Sequence, residues 1–234
     1  MNVSFLLKQY FSGKDDVSID VFDAHTLNDV YQNVLKTLTS HFEIEVSVLQ
    51  ALSYCFYEIL DNVHIHSGRP IGTAMTHFDA EREVLRVLVA DDGMGIRESL
   101  AENDRFRNIT EEEAIRLCLE DSVTDGKGMG FGLYATSRLM KDVGLQFVIH
   151  SGHHKLISKD GVTETVENGL WQGTIVYMEI STNVVSNSFS DECIAKLLLE
   201  MPLEKLKQLT TFRNLTPMAE RSILVALQRR YKMQ

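Results

Sequence analysis

Hydrophobic and polar positions change period several times along this chain. Residues 17 to 23, VSIDVFD, alternate as a strand with one buried face does. From Thr26, TLNDVYQNVLKTLTSHF sets Val30, Val34, Leu35 and Leu38 at helical spacing, with Asn or Thr available as a cap. A longer helix is predicted over about 45 to 66, with Leu49, Leu52, Phe56, Ile59 and Val63 on its core face. Residues 82 to 90 are nearly continuous in Val and Leu and predict a strand buried on both faces. ITEEEAIRLCLED reads as a helix with Thr110 as N-cap and Glu113 placed for a capping box. A glycine-rich passage then leads into GLYATSRLMKDVG, a helix closed by Gly144. Segments 145–150, 155–158 and 162–166 read as strands with a hairpin turn at KDG, and GTIVYMEI as a last central strand. The order predicts an α+β two-layer sandwich, one mixed sheet with helices on one face.

From about Thr182 the character changes. TNVVSNSFSDE is a polar connector, and the residues after it predict two or three helices with stops near Pro202 and Pro217. The chain therefore divides into 1–182 and a helical C-terminal extension, 183–234. The formal net charge of -10 argues against nucleic acid as a partner, because phosphate contacts need a basic surface. The extension is the exception, with a surplus of Arg and Lys (Arg221, Arg229, Arg230, Lys232) better suited to protein contact or dimerisation. Cys55, Cys118 and Cys193 lie far apart and fit neither a metal spacing nor a disulfide framework, so free thiols in a reducing compartment are expected. The N-terminus lacks an apolar stretch long enough for a signal peptide or membrane span, and a cytoplasmic protein is expected, with no membrane partner.

Three stretches carry candidate chemistry. In YEILDNVHIHS, residues 57 to 67, Glu58, Asn62 and His66 recur every four residues. Each step advances about 40° around a helix and roughly 6 Å along it, so the three line up beside the core face. A solvated stripe would look the same, but carboxylate, carboxamide and imidazole in a row are also a proton acceptor, a neutral oxygen for a hard cation and a hydrogen-bond donor to phosphate. DDGMGI, 91 to 96, ends the Val/Leu strand with two glycines, which serve either a tight turn or the close approach of another group. In DGKGMGFGLYATSRLM, 125 to 140, four alternating glycines precede a helix, where exposed N–H groups and Lys127 suit an anion; a flexible loop is the other reading. No GK[ST] is present there, which excludes a P-loop, and LEDSVTD stands where a dinucleotide fingerprint needs a strand.

Taken in order, these blocks resemble the GHKL family of ATP-binding domains, which includes gyrase-type ATPases, Hsp90, MutL, sensor histidine kinases and anti-sigma-factor serine kinases. The resemblance covers about residues 40 to 182, with GT at 173–174 as a weaker fourth block. It implies the Bergerat variety of α+β sandwich, with ATP and Mg²⁺ as cofactors. Glu58 matches the general base, Asn62 the magnesium ligand, and His66 a histidine at that offset in the anti-sigma kinases. Asp91 matches the aspartate that accepts from the adenine amino group; Asp92 fills a variable position. Gly93 and Gly95, with Ile96 after them, match the segment that lets the backbone pass close to the base. Lys127 falls in the ATP lid, 97 to 127, and Gly128, Met129, Gly130, Phe131 and Gly132 in the phosphate-holding segment. Thr174 matches a threonine near the adenine pocket.

None of the eight histidines is followed by an acid, as a phosphoacceptor histidine usually is, and the extension is too short for the second domain of gyrase, Hsp90 or MutL. The blocks are most similar to the anti-sigma type of serine/threonine kinase, which implies a regulatory protein partner such as a sigma factor or its antagonist. The extension and the long hairpin region HSGHHKLISKDG depart from that pattern. A slow ATPase, or a nucleotide-gated binding module that can dimerise, is the alternative. His153 and His154 are expected to be exposed rather than to hold a metal.

Overall fold

The computed structural model describes residues 2–41, 46–128, 130 and 132–181. The expected 183–234 extension lies outside them. The described residues fold as an α+β sandwich around a five-stranded sheet in the order β1-β2-β3-β5-β4. Helix α1 (Val3–Tyr10) and β1 (Ser18–Phe22) come first, followed by α2 (Leu27–His41) and α3 (Val46–His66). Strands β2 (Gly72–Asp79) and β3 (Val84–Ala90) form a hairpin. Helices α4 (Gly95–Leu100), α5 (Glu111–Leu117) and α6 (Gly132–Val143) lead to the long strands β4 (Gly144–Lys159) and β5 (Val162–Ser181).

The sheet expected to be mixed is antiparallel in every pairing. Helices after β3 carry the chain across to the far edge, where β4 runs parallel to β3 but one place away. The tight turn at Asp160–Gly161, both with positive φ (52° and 77°), sends β5 back into the gap, antiparallel to both neighbours.

The main core lies between the sheet and α2, α3 and α6. On α3, Leu52, Phe56, Ile59 and Val63 are buried, and Leu85, Val87 and Val89 of β3 face them. The other face of β3 offers Leu88 and Ala90 to a second core closed by Leu6, Tyr10 and Phe11. Helices therefore do not occupy one face alone: α1 covers part of the other. That helix was not predicted, although Val3, Leu6, Leu7 and Tyr10 stand at helical spacing; the Asn2 side chain caps the Phe5 amide at 3.1 Å. Strand β2, GTAMTHFD, gave no sequence signal because Thr, Ala and Met alternate without contrast; all but one of its residues are buried. The capping box of α5 is present as expected, with Glu113 N–H on Thr110 Oγ1 at 3.1 Å and Thr110 N–H on Glu113 Oε2 at 2.8 Å.

Candidate functional site

A cavity enclosing about 1020 Å³ of solvent-open space lies between α3, the loop after β3 and the glycine segment before α6. Of the residues singled out from the sequence, Glu58, Asn62 and His66 line one side, and Asp91, Gly95, Ile96 and Thr174 line another. Gly128, Gly130 and Gly132 close the third. Gly93 and Lys127 do not line it, and Met129 and Phe131 lie outside the described residues.

Asp91 is 4% exposed, whereas Asp92 is exposed. Burial is the main reason its carboxyl is pushed up to about 6; the Gly93 amide, donating to Oδ1 at 2.8 Å, pulls the other way. Around it the wall is apolar, with Ile59, Val63, Val89, Ile96, Leu100 and Val176. A buried carboxylate in an apolar cleft is a strong acceptor for a ligand N–H, because the apolar side chains beside it offer no competing acceptor.

The two glycines of DDGMGI are there for protein contacts. A Cβ on Gly93 would lie 2.1 Å from the Ser67 carbonyl oxygen, and the next amide, Met94 N–H, donates to that oxygen at 2.9 Å. Gly95 has φ +79°, and a Cβ there would meet Ser151 Oγ at 2.8 Å. Gly93 thus lets the loop press on the end of α3, and the approach expected of a ligand is made there by Ser67. Gly95 alone also faces the cavity.

The glycine segment lies close on α3. A Cβ on Gly132 would meet Glu58 Oε2 at 2.6 Å, so this position must stay bare for the buried Glu58 carboxylate to sit against the start of α6. The helix N-terminus there favours negative charge. A Cβ on Gly128 would lie 3.3 Å from His66 Nε2, and one on Gly130, at φ +66°, 2.3 Å from the Val123 carbonyl.

Asp125 was missed from the sequence. Its side chain accepts from Ser99 Oγ at 2.9 Å and from the Lys127 amide at 2.9 Å, and lies 2.7 Å from His66 Nδ1. Burial works to raise its carboxyl, but these partners together hold it below the usual carboxylate range. The available signal was its position directly before the glycines. Lys127 turns away, pairing with Glu102 at 2.5 Å. Residues 97 to 127, expected as a lid, are built of most of α4, a 3₁₀ turn at Asp104–Phe106 and α5; Phe106 and Ile115 are buried in the main core. His154 is half-buried, not exposed, and both His153 and His154 approach Glu111 Oε2 (3.2 and 3.4 Å). Among the described residues no cluster of His, Cys, Asp or Glu could hold a metal, and no helix is long and apolar enough to cross a membrane.

Comparison with known proteins finds no matching family model and no matching curated protein. Solved structures that match include the ATPase region of Saccharomyces cerevisiae topoisomerase II, at 12% identity over 51% of this chain and 35% of that one, TM-score 0.28. The same region bound to dexrazoxane matches at 13% identity over 52% of this chain and 35% of that one, TM-score 0.26. This chain spans about a third of the length of those chains. Likeness at that level carries no argument about fold or chemistry.

Proposed function

We propose that the chain binds ATP with Mg²⁺ in this cavity and works as a GHKL-type regulatory protein. The observation that carries the proposal is convergence: three segments far apart in sequence line one cleft whose apolar end holds a buried carboxylate. The antiparallel sheet backed by α2, α3 and α6 is consistent with that family's architecture. Adenine is assigned to the Asp91 end, with its amino group donating to the carboxylate and Thr174 beside it. The phosphates are assigned to the amides of Gly128, Gly130 and Gly132 at the start of α6. Asn62 would hold Mg²⁺ through its carboxamide oxygen, and the bound metal supplies neutralising charge to the phosphates.

Within this reading Glu58 is the base. It takes the proton from a serine or threonine hydroxyl of a partner protein as that oxygen bonds to the γ-phosphorus and the bond to the bridging oxygen of ADP breaks. This serine/threonine kinase, or anti-sigma-type switch, rests on the motif resemblance and on the placement of Glu58 one turn before Asn62. The 183–234 extension is assigned to partner contact or self-association, in the cytoplasm.

Calorimetric titration with ATP and Mg²⁺ tests the binding. Micromolar affinity is expected, and at a thousandfold excess over Kd it stabilises the fold by about 4 kcal/mol. No heat and no rise in melting temperature would overturn it. Labelled ATP then separates the chemistry: label on a partner hydroxyl, lost in Glu58→Gln, supports the kinase.

One contact favours the alternative, a nucleotide-gated module or slow ATPase. The 97–127 segment ends near Asp125, which is tied to His66 on the helix face that carries Glu58. Nucleotide arriving at the glycine segment would act directly on that tie, so binding alone could move the lid. A Glu58→Gln protein that still engages its partner only with ATP would select this reading.

A further inference from the structure

The β4–β5 hairpin runs on well past the sheet. Strand β5 pairs with β3 only from Ile175 to Ser181, yet β4 and β5 stay paired out to Lys159 and Val162, with register shifts between Ser151 and His154. The inner part of this arm lies against the Asp91–Ile96 loop. Asp91 N–H donates to the Thr174 carbonyl at 3.0 Å, and Ile96 N–H to Ser151 Oγ at 2.9 Å. Two side chains of the arm donate back: Trp171 Nε1 to the Asp91 carbonyl at 3.0 Å, and Gln172 Nε2 to the Gly93 carbonyl at 2.6 Å. The arm could not come closer. Gly173 has φ +95°, and a Cβ there would lie 2.4 Å from the Asp91 carbonyl oxygen.

Resting on the ATP reading, we propose that Trp171 and Gln172 are positioning residues that aim the Asp91 carboxylate at the adenine amino group. They would set base selectivity without touching nucleotide, since neither lines the cavity. The Asp91 peptide is pinned at both ends, its N–H by Thr174 and its carbonyl by Trp171. Gln172 holds the peptide of Gly93, whose own N–H fixes the carboxylate through Oδ1. The Thr174 backbone is a second hydrogen-bond partner of this carboxylate, so the loop and the arm together fix its orientation. A carboxylate discriminates an amino group from a carbonyl only when its lone pairs are held on target, and supporting hydrogen bonds of this kind supply that hold. Phe5 of α1 stacks on the Trp171 ring (centroids 5.8 Å apart, 20° between planes), so the N-terminal helix buttresses the same contact.

The test is calorimetric titration of the full chain with ATP and with GTP, which lacks the amino group at that position. Trp171→Phe keeps a ring for Phe5 and removes the donor. ATP affinity is expected to fall about tenfold, as for the loss of one hydrogen bond to a buried carbonyl, and GTP affinity to stay the same. Gln172→Met, at an exposed position where folding is spared, is expected to act in the same direction. Equal losses for both nucleotides, or no loss of ATP affinity in either variant, would overturn the positioning role while leaving ATP binding intact. Should Trp171→Phe fail to fold, Gln172→Met decides alone. A wild-type protein that binds neither nucleotide removes the ATP reading and this inference with it.

Discussion

At the Asp91 end of the cavity, the loop is tied to Ser67 and to the hairpin by hydrogen bonds that involve its own peptide groups. At the glycine end, the described residues 124 to 128 are tied to the rest of the molecule by contacts that each involve a side chain: Asp125 on His66 and Ser99, Lys127 on Glu102, and Asn103 Nδ2 on the Thr124 carbonyl. Both ends are rich in glycine, but for different reasons. Gly93 and Gly173 are bare because backbone oxygens occupy the space of a Cβ, and at the glycine end only Gly130 shares that reason; Gly126 has open space around it and needs only its positive φ of 100°. A loop clamped through its peptides keeps one shape. A loop held through side chains can be released by competition for those side chains.

The sharpest way to break this contrast is to add one methyl group at each end. Gly93→Ala is expected to cost about 3 kcal/mol, since the Ser67 carbonyl is backbone and cannot step aside. Gly126→Ala, with nothing to meet, should cost only about 1 kcal/mol for its left-handed φ. Urea unfolding of the two variants checks the difference, and equal costs would dissolve it.

Asp91 offers the next largest effect. Its carboxyl is raised to about 6 by burial, so ionising it works against the fold. Such a group stabilises below its unfolded value near 3.8, and that contribution is lost as pH rises through 6. Without nucleotide, Asp91→Asn should therefore be more stable than wild type above pH 6, by at most roughly 3 kcal/mol, with the gap closing as pH falls toward 4. Unfolding at about pH 7.5 and about pH 4 measures it. The same variant should bind ATP between about tenfold and a hundredfold more weakly, the range for a hydrogen bond to a charged acceptor. A variant both more stable and weaker in binding marks Asp91 as a residue kept for its ligand; unchanged ATP affinity would sink the assignment.

The smallest effect is expected at the glycine end. Ser99→Ala removes one of the hydroxyl and imidazole partners of Asp125 and should cost about 1 kcal/mol. Its clearer signature is faster amide exchange over residues 120 to 128, while residues 91 to 96 keep their protection. Because the Asp125 carboxyl is held below its ordinary value of 3.8, its contribution to that tie is present above 3.8 and is lost as pH falls below it. Faster exchange in both segments would mean that the two ends are one cooperative unit.

What could be read from residue order alone was whatever depends on neighbours in sequence. The i, i+4 row of Glu58, Asn62 and His66, the capping box at Thr110 and the left-handed turn at Asp160–Gly161 are local, and the structure places each where the pattern put it. Strand β2 was invisible because a strand buried on both faces carries no alternation when its residues are small and mixed. Asp125, Ser99, Trp171 and Gln172 were invisible for a different reason. Each acquires its role from a partner far away in the chain, such as Trp171 from the Asp91 carbonyl. DDGMGI shows the division in one place. Two glycines after a strand state that either a tight turn or a close approach follows, since glycine permits both. Tertiary structure alone decided what comes: the Ser67 carbonyl at Gly93, the hairpin at Gly95, and beside them an apolar cleft that the buried Asp91 carboxylate faces.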